Sequence, residues 1–235
     1  MGLDTDRSLE VVLQQVAGGA KPDLLIVSGD ISSDGQVDAY HRLKARLQGM
    51  AGAMVWLPGN HDDAVQMRAA IGAEIMPGSL LLEGWQFVFL NTAVPGQVGG
   101  RLAASELEKV RLAASSGMPT LIFMHHHALP VGSDWLDEQR VSNADELFSL
   151  IGGQTHIKAL VCGHVHQESD QNAEGIRQIS TPSSCIQFAP GSEDFALDSI
   201  NPGYRCFALH GNGTFETQVK RVAGNFAVDH SARGY

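Results

Sequence analysis

Apolar positions follow two rhythms along this chain. From Ser8 to Val16 they recur at helical spacing (Leu9, Val12, Leu13, Val16), with Asp6 placed as the cap and Gly18-Gly19 as the stop. Leu24 to Val27 is then an unbroken apolar run that halts at Ser28-Gly29-Asp30. Gln36 to Leu47 reads as a helix. Met54 to Leu57 is the next apolar run, and it halts at Pro58-Gly59-Asn60-His61-Asp62. A helix is predicted from Ala64 to Ile71, and a hairpin where Leu80-Leu81-Leu82 and Phe87 to Leu90 flank Glu83-Gly84-Trp85-Gln86. Ser105 to Ala114 is helical with Ser105 as its cap. Thr120 to Met124 is apolar and halts at His125, and Asn143 caps a helix to Ile151. Ile157 to Val161 is apolar and halts at Cys162-Gly163-His164. Beyond that point short alternating runs take over, and Asn212-Gly213 is the strongest turn signal among them.

The same phrase thus occurs four times: a short buried strand, then a polar residue at its carboxyl end. Apolar strands without alternation are parallel strands covered on both faces. In open α/β sheets, ligands sit in the crevice beyond such carboxyl ends. Asp30, Asn60-His61, His125 and His164-Val165-His166 are therefore expected to converge, although they span 136 positions.

Each piece alone has a plainer reading. Gly29-Asp30 is a common turn. Gly59-Asn60-His61-Asp62 is a helix entry with Asp62 or Asp63 as cap. His125-His126-His127 reads as one buried histidine with two exposed neighbours, and His164-Val165-His166 as alternation on an ordinary strand. Four coincidences in order, each closing an apolar run, favour a shared site. One carboxylate, one amide oxygen and several imidazoles suit Mn, Fe or Zn better than an all-oxygen Ca or Mg site. The two oxygens of Asp30 can bridge a pair of ions. His164 and His166, two apart in an extended segment, would point to one side and serve one ion each. Two ions about 3.5–4 Å apart clamp a phosphate and generate a hydroxide nucleophile. His61, not needed as a ligand, is placed to protonate a leaving oxygen.

Composition removes alternatives. The chain has 235 residues, enough for one large domain. With 43% hydrophobic and 18% charged residues it is a globular protein, not a disordered one. It carries 16 basic and 26 acidic residues, a net charge of −10, which disfavours a nucleic-acid polymer as partner. No run approaches a membrane span, and no signal peptide is visible. Cys162, Cys185 and Cys206 form no CxxC pair, and they fit reduced thiols in a cytoplasm. No Gly-x-Ser-x-Gly elbow supports a serine hydrolase. Oligomeric state is not encoded in any feature of the sequence.

Gly29-Asp30, Gly59-Asn60-His61-Asp62, His125 and Gly163-His164-Val165-His166 resemble the successive motifs of the calcineurin-like metallophosphoesterases. Trp56 to Asp62, His125 to Pro130, Ser133 to Asp137 and Ser180 to Phe188 resemble the class III cyclic nucleotide phosphodiesterases, in particular the bacterial 3′,5′-cyclic AMP enzymes. The resemblance runs from about Leu3 to the C-terminus. It implies a single metallophosphoesterase domain over 1–235, built as a four-layer α/β/β/α sandwich. It implies Asp30 as a bridging metal ligand, Asn60, His125 and His164 completing one metal site, and His166 belonging to the other. Substrate contacts would come from Asp30, Asn60, His61 and His166. The implied cofactors are two divalent ions, Fe²⁺ or Mn²⁺ with Zn²⁺ as a further choice. The implied reaction is hydrolysis of cyclic AMP to AMP in the cytoplasm.

One departure stands out. The family opens with a strand ending in Asp-x-His, and no such segment occurs here. Asp4-Thr5-Asp6 reads as the entry to the first helix. The sandwich is therefore expected without its first strand, and the second metal site with only Asp30 and His166. A strand encoded upstream of Met1 is one explanation, and a short form holding one metal is the other. A glycerophosphodiesterase or a broad phosphoesterase of the same fold is the alternative activity. Ser33 stands three residues after Asp30, so support of His61 would fall to Asp34.

Overall fold

The computed structural model describes residues 1–234. Helix α1 (Thr5–Ala17) begins one turn earlier than the apolar spacing suggests, because Asp4, not Asp6, caps it by accepting from the Arg7 N–H at 3.1 Å. Strand β1 (Leu24–Val27), helix α2 (Val37–Leu47) and strand β2 (Ala53–Trp56) follow. Helix α3 (Ala64–Ile71) is capped by Asp63, whose carboxylate accepts from the Val65 and Gln66 N–H groups. Strands β3 (Ser79–Leu82) and β4 (Trp85–Leu90) form the expected hairpin. Its two-residue turn holds Glu83 and Gly84 at φ 48° and 81°, the geometry that matches strand twist.

Helix α4 (Ala104–Ala114) starts after Ala103 rather than at Ser105, since Glu106 and Leu107 both donate to the Ala103 carbonyl. Strand β5 (Thr120–Met124), the short helix α5 (Asp134–Asp137), helix α6 (Ala144–Ile151) and strand β6 (Ile157–Cys162) come next. Asn143 stands at the start of α6, but its amide bridges the Leu102 N–H and carbonyl instead of capping. The chain closes with β7 (Ser169–Ala173), β8 (Ile176–Ser180), β9 (Gln187–Phe188), β10 (Leu197–Asp198), β11 (Gly203–Leu209) and β12 (Phe215–Arg221).

Six strands make one mixed sheet in the order β3-β4-β5-β6-β8-β7, with β4, β5, β6 and β8 parallel. β1 and β2 pair in parallel, and β11 and β12 form a hairpin. Side-chain direction alternates along each strand, and this sorts the core into layers. Leu121 and Phe123 of β5, with Phe87 and Phe89 of β4, meet Leu24, Ile26, Val55, Phe207 and Phe215 between the sheets. Ile122 and Met124, one position out of phase, pack instead on Val110 and Ala113 of α4 and Leu147 of α6. Leu25 and Val27 of β1, again out of phase, pack on Tyr40 of α2 and Met67 of α3. The result is helix, sheet, sheet, helix: the four-layer sandwich.

Strand β1 is not deeply buried. Among the described residues it pairs only with β2, so one edge stands open. Its four apolar side chains are all half-buried, whereas all five of β5 are buried.

Candidate metal centre

The centre lies where β1, β2, β5 and β6 end. After β1 the backbone turns through Gly29 (φ 104°) and Asp30 (φ 54°). Two glycines let the first two loops touch. A Cβ on Gly29 would lie 2.7 Å from Gly59 N, and one on Gly59 would lie inside the Asp30 carboxylate. The His61 N–H donates to Asp30 Oδ1 at 3.1 Å and orients that carboxylate. Asp62 buckles the loops together by accepting from Gly59, Ile31 and Ser32 N–H groups at 2.9, 3.1 and 3.0 Å. The capping role open to Asp62 thus belongs to Asp63 alone. Burial raises the Asp62 pKa against these hydrogen bonds.

His125 is the hub. Its Nδ1 lies 2.7 Å from the Ser28 carbonyl oxygen, which can only accept, so Nδ1 carries the hydrogen. In the neutral ring Nε2 then carries a lone pair, and it faces Asp30 Oδ2 and Asn60 Oδ1, each at 3.2 Å. Three acceptors cannot share a buried space without a proton or a cation among them. Burial would lower the His125 pKa, but the Asp30 carboxylate outweighs it and the net shift is upward. Burial likewise opposes ionisation of Asp30, yet His125 holds its pKa well below the usual carboxylate range.

His164 and His166 depart from the extended backbone that their spacing suggested. Both have positive φ, 58° and 48°, and the Val165 N–H donates to the Gly163 carbonyl at 2.6 Å across His164. Side chains in this left-handed region are strained, a cost that clusters at functional sites. His164 reaches the centre through this tight turn, its ring centroid 5.1 Å from that of His125. Its Nε2 lies 2.9 Å from Gln139 Oε1, and its Nδ1 is buried with no hydrogen-bond partner. The His166 ring lies parallel to Phe188, 3° apart with centroids at 4.4 Å. Burial, with the charge of the neighbouring rings, pushes His164 well below its ordinary value. Burial pushes His166 down to about 4. Both are neutral at pH 7, the form that ligates metal.

His61 stands beside these groups, half-buried. Its Nδ1 lies 3.3 Å from the Ser33 carbonyl. The Asp34 carboxylate accepts from Ser32 Oγ at 3.0 Å and Gln36 N–H at 3.4 Å, where the loop turns back on itself before α2.

All three histidines of the triplet are buried, so the picture of two exposed neighbours fails. The nitrogens of His125, His126 and His164 come within 4.8 Å of one another, and this cluster could hold a cation. Both His126 nitrogens are already engaged, Nδ1 with Thr92 Oγ1 at 2.8 Å and Nε2 with the Val98 carbonyl at 2.9 Å. His127 is held by Asp137 Oδ1 at 3.3 Å. The loop-joining role of Asp62 and the roles of Gln139 and Thr92 rest on contacts across 25 to 34 residues, which no local pattern marks. The donor set of carboxylate, amide oxygen and neutral imidazoles fits a borderline divalent ion.

A two-sheet sandwich with such donors at its strand ends describes a class of metal-dependent hydrolases, and the chain belongs to it: it is a member of the calcineurin-like phosphoesterase family, whose profile matches residues 4–168. The family uses divalent metals. The chain is 38% identical over 240 residues to the 3′,5′-cyclic adenosine monophosphate phosphodiesterase CpdA of Pseudomonas aeruginosa, covering 100% of this chain and 88% of that protein. It is 37% identical over 242 residues to the protein of the same name from Escherichia coli K12, with the same coverage. Among solved structures, a dimetal phosphatase from Danio rerio shares the fold with a TM-score of 0.57 at 17% identity, over 93% of this chain and 89% of that one. Among the described residues no helix is long and apolar enough to cross a membrane.

Proposed function

We propose that this protein is a metal-dependent phosphodiesterase that hydrolyses 3′,5′-cyclic AMP to AMP. The observation that carries the reading is the meeting of Asp30 Oδ2 and Asn60 Oδ1 on His125 Nε2 at 3.2 Å. Asp30, Asn60, His125 and His164 hold one divalent ion in this reading, and Asp30 and His166 begin a second site. Fe²⁺ and Mn²⁺ are the proposed ions, with Zn²⁺ as a further choice. When bound, such ions supply Lewis acidity and a nucleophile at neutral pH. The chain's own residues orient and protonate. Asn60 and His166 border the site and contact the phosphate. His61 is anchored by its N–H on Asp30 and its Nδ1 on the Ser33 carbonyl, and in this reading its imidazole donates to the leaving oxygen. The names of the relatives support a cyclic nucleotide as substrate. The free thiols of Cys162, Cys185 and Cys206 support a reducing cytoplasm as its place.

The second site has fewer donors here. No Asp-x-His occurs in the 235 residues. We propose that its remaining ligands arrive on a strand seated against the open edge of β1, within a single domain that includes residues 1–235. The alternative, a single-ion form with weak catalysis, is favoured by the five donors present. Purified chain, with and without an N-terminal extension carrying such a strand, is assayed with Mn²⁺ or Fe²⁺. The substrates are cyclic AMP, cyclic GMP and glycerophosphodiesters, and metal content is measured in parallel. Cyclic AMP turnover by the extended form, with two ions bound, supports the proposal. Preference for a glycerophosphodiester moves the assignment to the alternative activity. No turnover of any phosphodiester, with metal content unchanged in His164→Ala, overturns the reading.

A further inference from the structure

His164 poses a question of tautomers. The residue is 3% exposed, so neither ring nitrogen can rely on bulk water. Nε2 lies 2.9 Å from Gln139 Oε1, and Nδ1 has no hydrogen-bond partner. If Nδ1 carried the hydrogen, a buried donor would go unsatisfied at a cost of about 1–3 kcal/mol. If Nε2 carries it, Gln139 accepts that hydrogen and the Nδ1 lone pair is left for a cation. Gln139 can impose this choice because it is itself fixed. It follows α5, its N–H donates to the Leu136 carbonyl at 2.8 Å, and its own carbonyl accepts from Gly100 N–H at 3.1 Å. Those two bonds set the backbone from which the amide reaches His164.

We propose that Gln139 is a positioning residue of the metal centre: its amide oxygen takes the Nε2 hydrogen of His164 and so fixes the tautomer that presents Nδ1 to the ion. The inference rests on the metal-centre reading above. A hydrogen-bond acceptor on the outer nitrogen of a ligating histidine fixes ring orientation and raises ligand basicity. The Ser28 carbonyl does the same for His125 from the opposite nitrogen, so the two rings meet the ion through different atoms. A neutral amide in this place orients His164 without adding a further buried charge beside Asp30.

The test uses the full 235-residue chain, wild type and two variants, Gln139→Met and Gln139→Glu. Long-range ¹⁵N–¹H spectra of the metal-free proteins read the His164 tautomer directly. Mn²⁺ affinity is measured by chelator competition, and a thermal midpoint reports the fold. The wild type is expected to carry the hydrogen on Nε2. Gln139→Met is expected to lose that preference and to bind Mn²⁺ about 10–100-fold more weakly. Gln139→Glu, which keeps the acceptor, is expected to retain both tautomer and affinity. Unchanged tautomer and affinity in Gln139→Met overturn the proposal. So does equal loss of affinity in both variants with the tautomer unaltered, since that marks a merely structural residue. Failure of the wild type to bind Mn²⁺ would sink the metal-centre reading instead, and the metal-free tautomer would still decide the role of Gln139.

Discussion

Gly59 shows how little room the centre leaves at the level of single residues. Any β-carbon there collides with the Asp30 carboxylate and lies 2.5 Å from the Asp30 N. Gly59→Ala is therefore expected to part the two loops and abolish tight Mn²⁺ binding, with calorimetric titration as the measurement. Asp62 acts at the same place by another means. Replacing it with Ala strips three backbone N–H groups of their acceptor, and bonds to a charged group contribute about 1.5–3 kcal/mol each. Burial of the carboxylate offsets part of that, so a loss of about 2–4 kcal/mol in urea unfolding is expected. Cys162 provides a pH marker. Burial pushes its thiol from 9.0 up to about 12, so the folded state disfavours the thiolate. Its contribution to stability is complete below pH 9 and is lost as pH rises toward 12. The unfolding midpoint of the wild type is expected to fall more steeply between pH 8 and 10.5 than that of Cys162→Ala. That Asp30, Asn60, His125 and His164 meet was legible in the sequence because polar residues closed four apolar runs. Asp62 and Gln139 were not, because what they hold is backbone and imidazole from distant segments, and no local pattern marks such a contact.

At the scale of elements, alternation is what survives from sequence to structure. An apolar run such as Thr120 to Met124 does not reveal which side chains face which layer, but the pleat assigns them once both faces are covered. Phe123 sits at the centre of the inter-sheet layer, with ring centroids 6.3 Å from Phe87, 5.7 Å from Phe89 and 6.3 Å from Phe207. It joins three strands from both sheets. Phe123→Ala is expected to cost about 3–5 kcal/mol by opening a cavity between layers that cannot collapse toward each other. Guanidinium unfolding checks it; a loss under 1 kcal/mol would mean that the sheets close over the gap. Helix starts were less legible than strands. Asp4 stands where Asp6 was expected, Ala103 where Ser105 was, and the Asn143 amide turns to Leu102 instead of its own helix, because polar side chains near a helix start have competing backbone partners that only the fold supplies. His164 and His166 do not lie on the extended segment that their spacing suggested. Their convergence comes from a left-handed turn, and a sequence with histidines in place of glycine gives no hint that such strained φ angles are adopted.

For the whole molecule, a bound ion is part of the folding free energy. Asp30, Asn60, His125 and His164 come from segments 134 positions apart, so the unfolded chain offers no comparable site. An ion that binds only the folded state at about 100 times its dissociation constant adds about 2.7 kcal/mol. In a domain of this size each kcal/mol moves the midpoint by about 2–4 °C. Mn²⁺-loaded protein is therefore expected to melt about 5–10 °C above the same protein in a chelator. His164→Ala is expected to lose most of that difference while its chelated form melts near the wild type. The open edge of β1 sharpens the comparison. A strand seated there would cover the half-buried Leu24 to Val27 and complete backbone pairing, raising the midpoint even in chelator. If that strand also brings donors to Asp30 and His166, the increment on adding Mn²⁺ should grow as well, because a second ion then binds the folded state alone. A higher midpoint in chelator with an unchanged Mn²⁺ increment would mean that the strand repairs the sheet without contributing to the metal centre. Growth of both places Asp30 between two ions, with one set of ligands on β2, β5 and β6 and the other on the far side of β1.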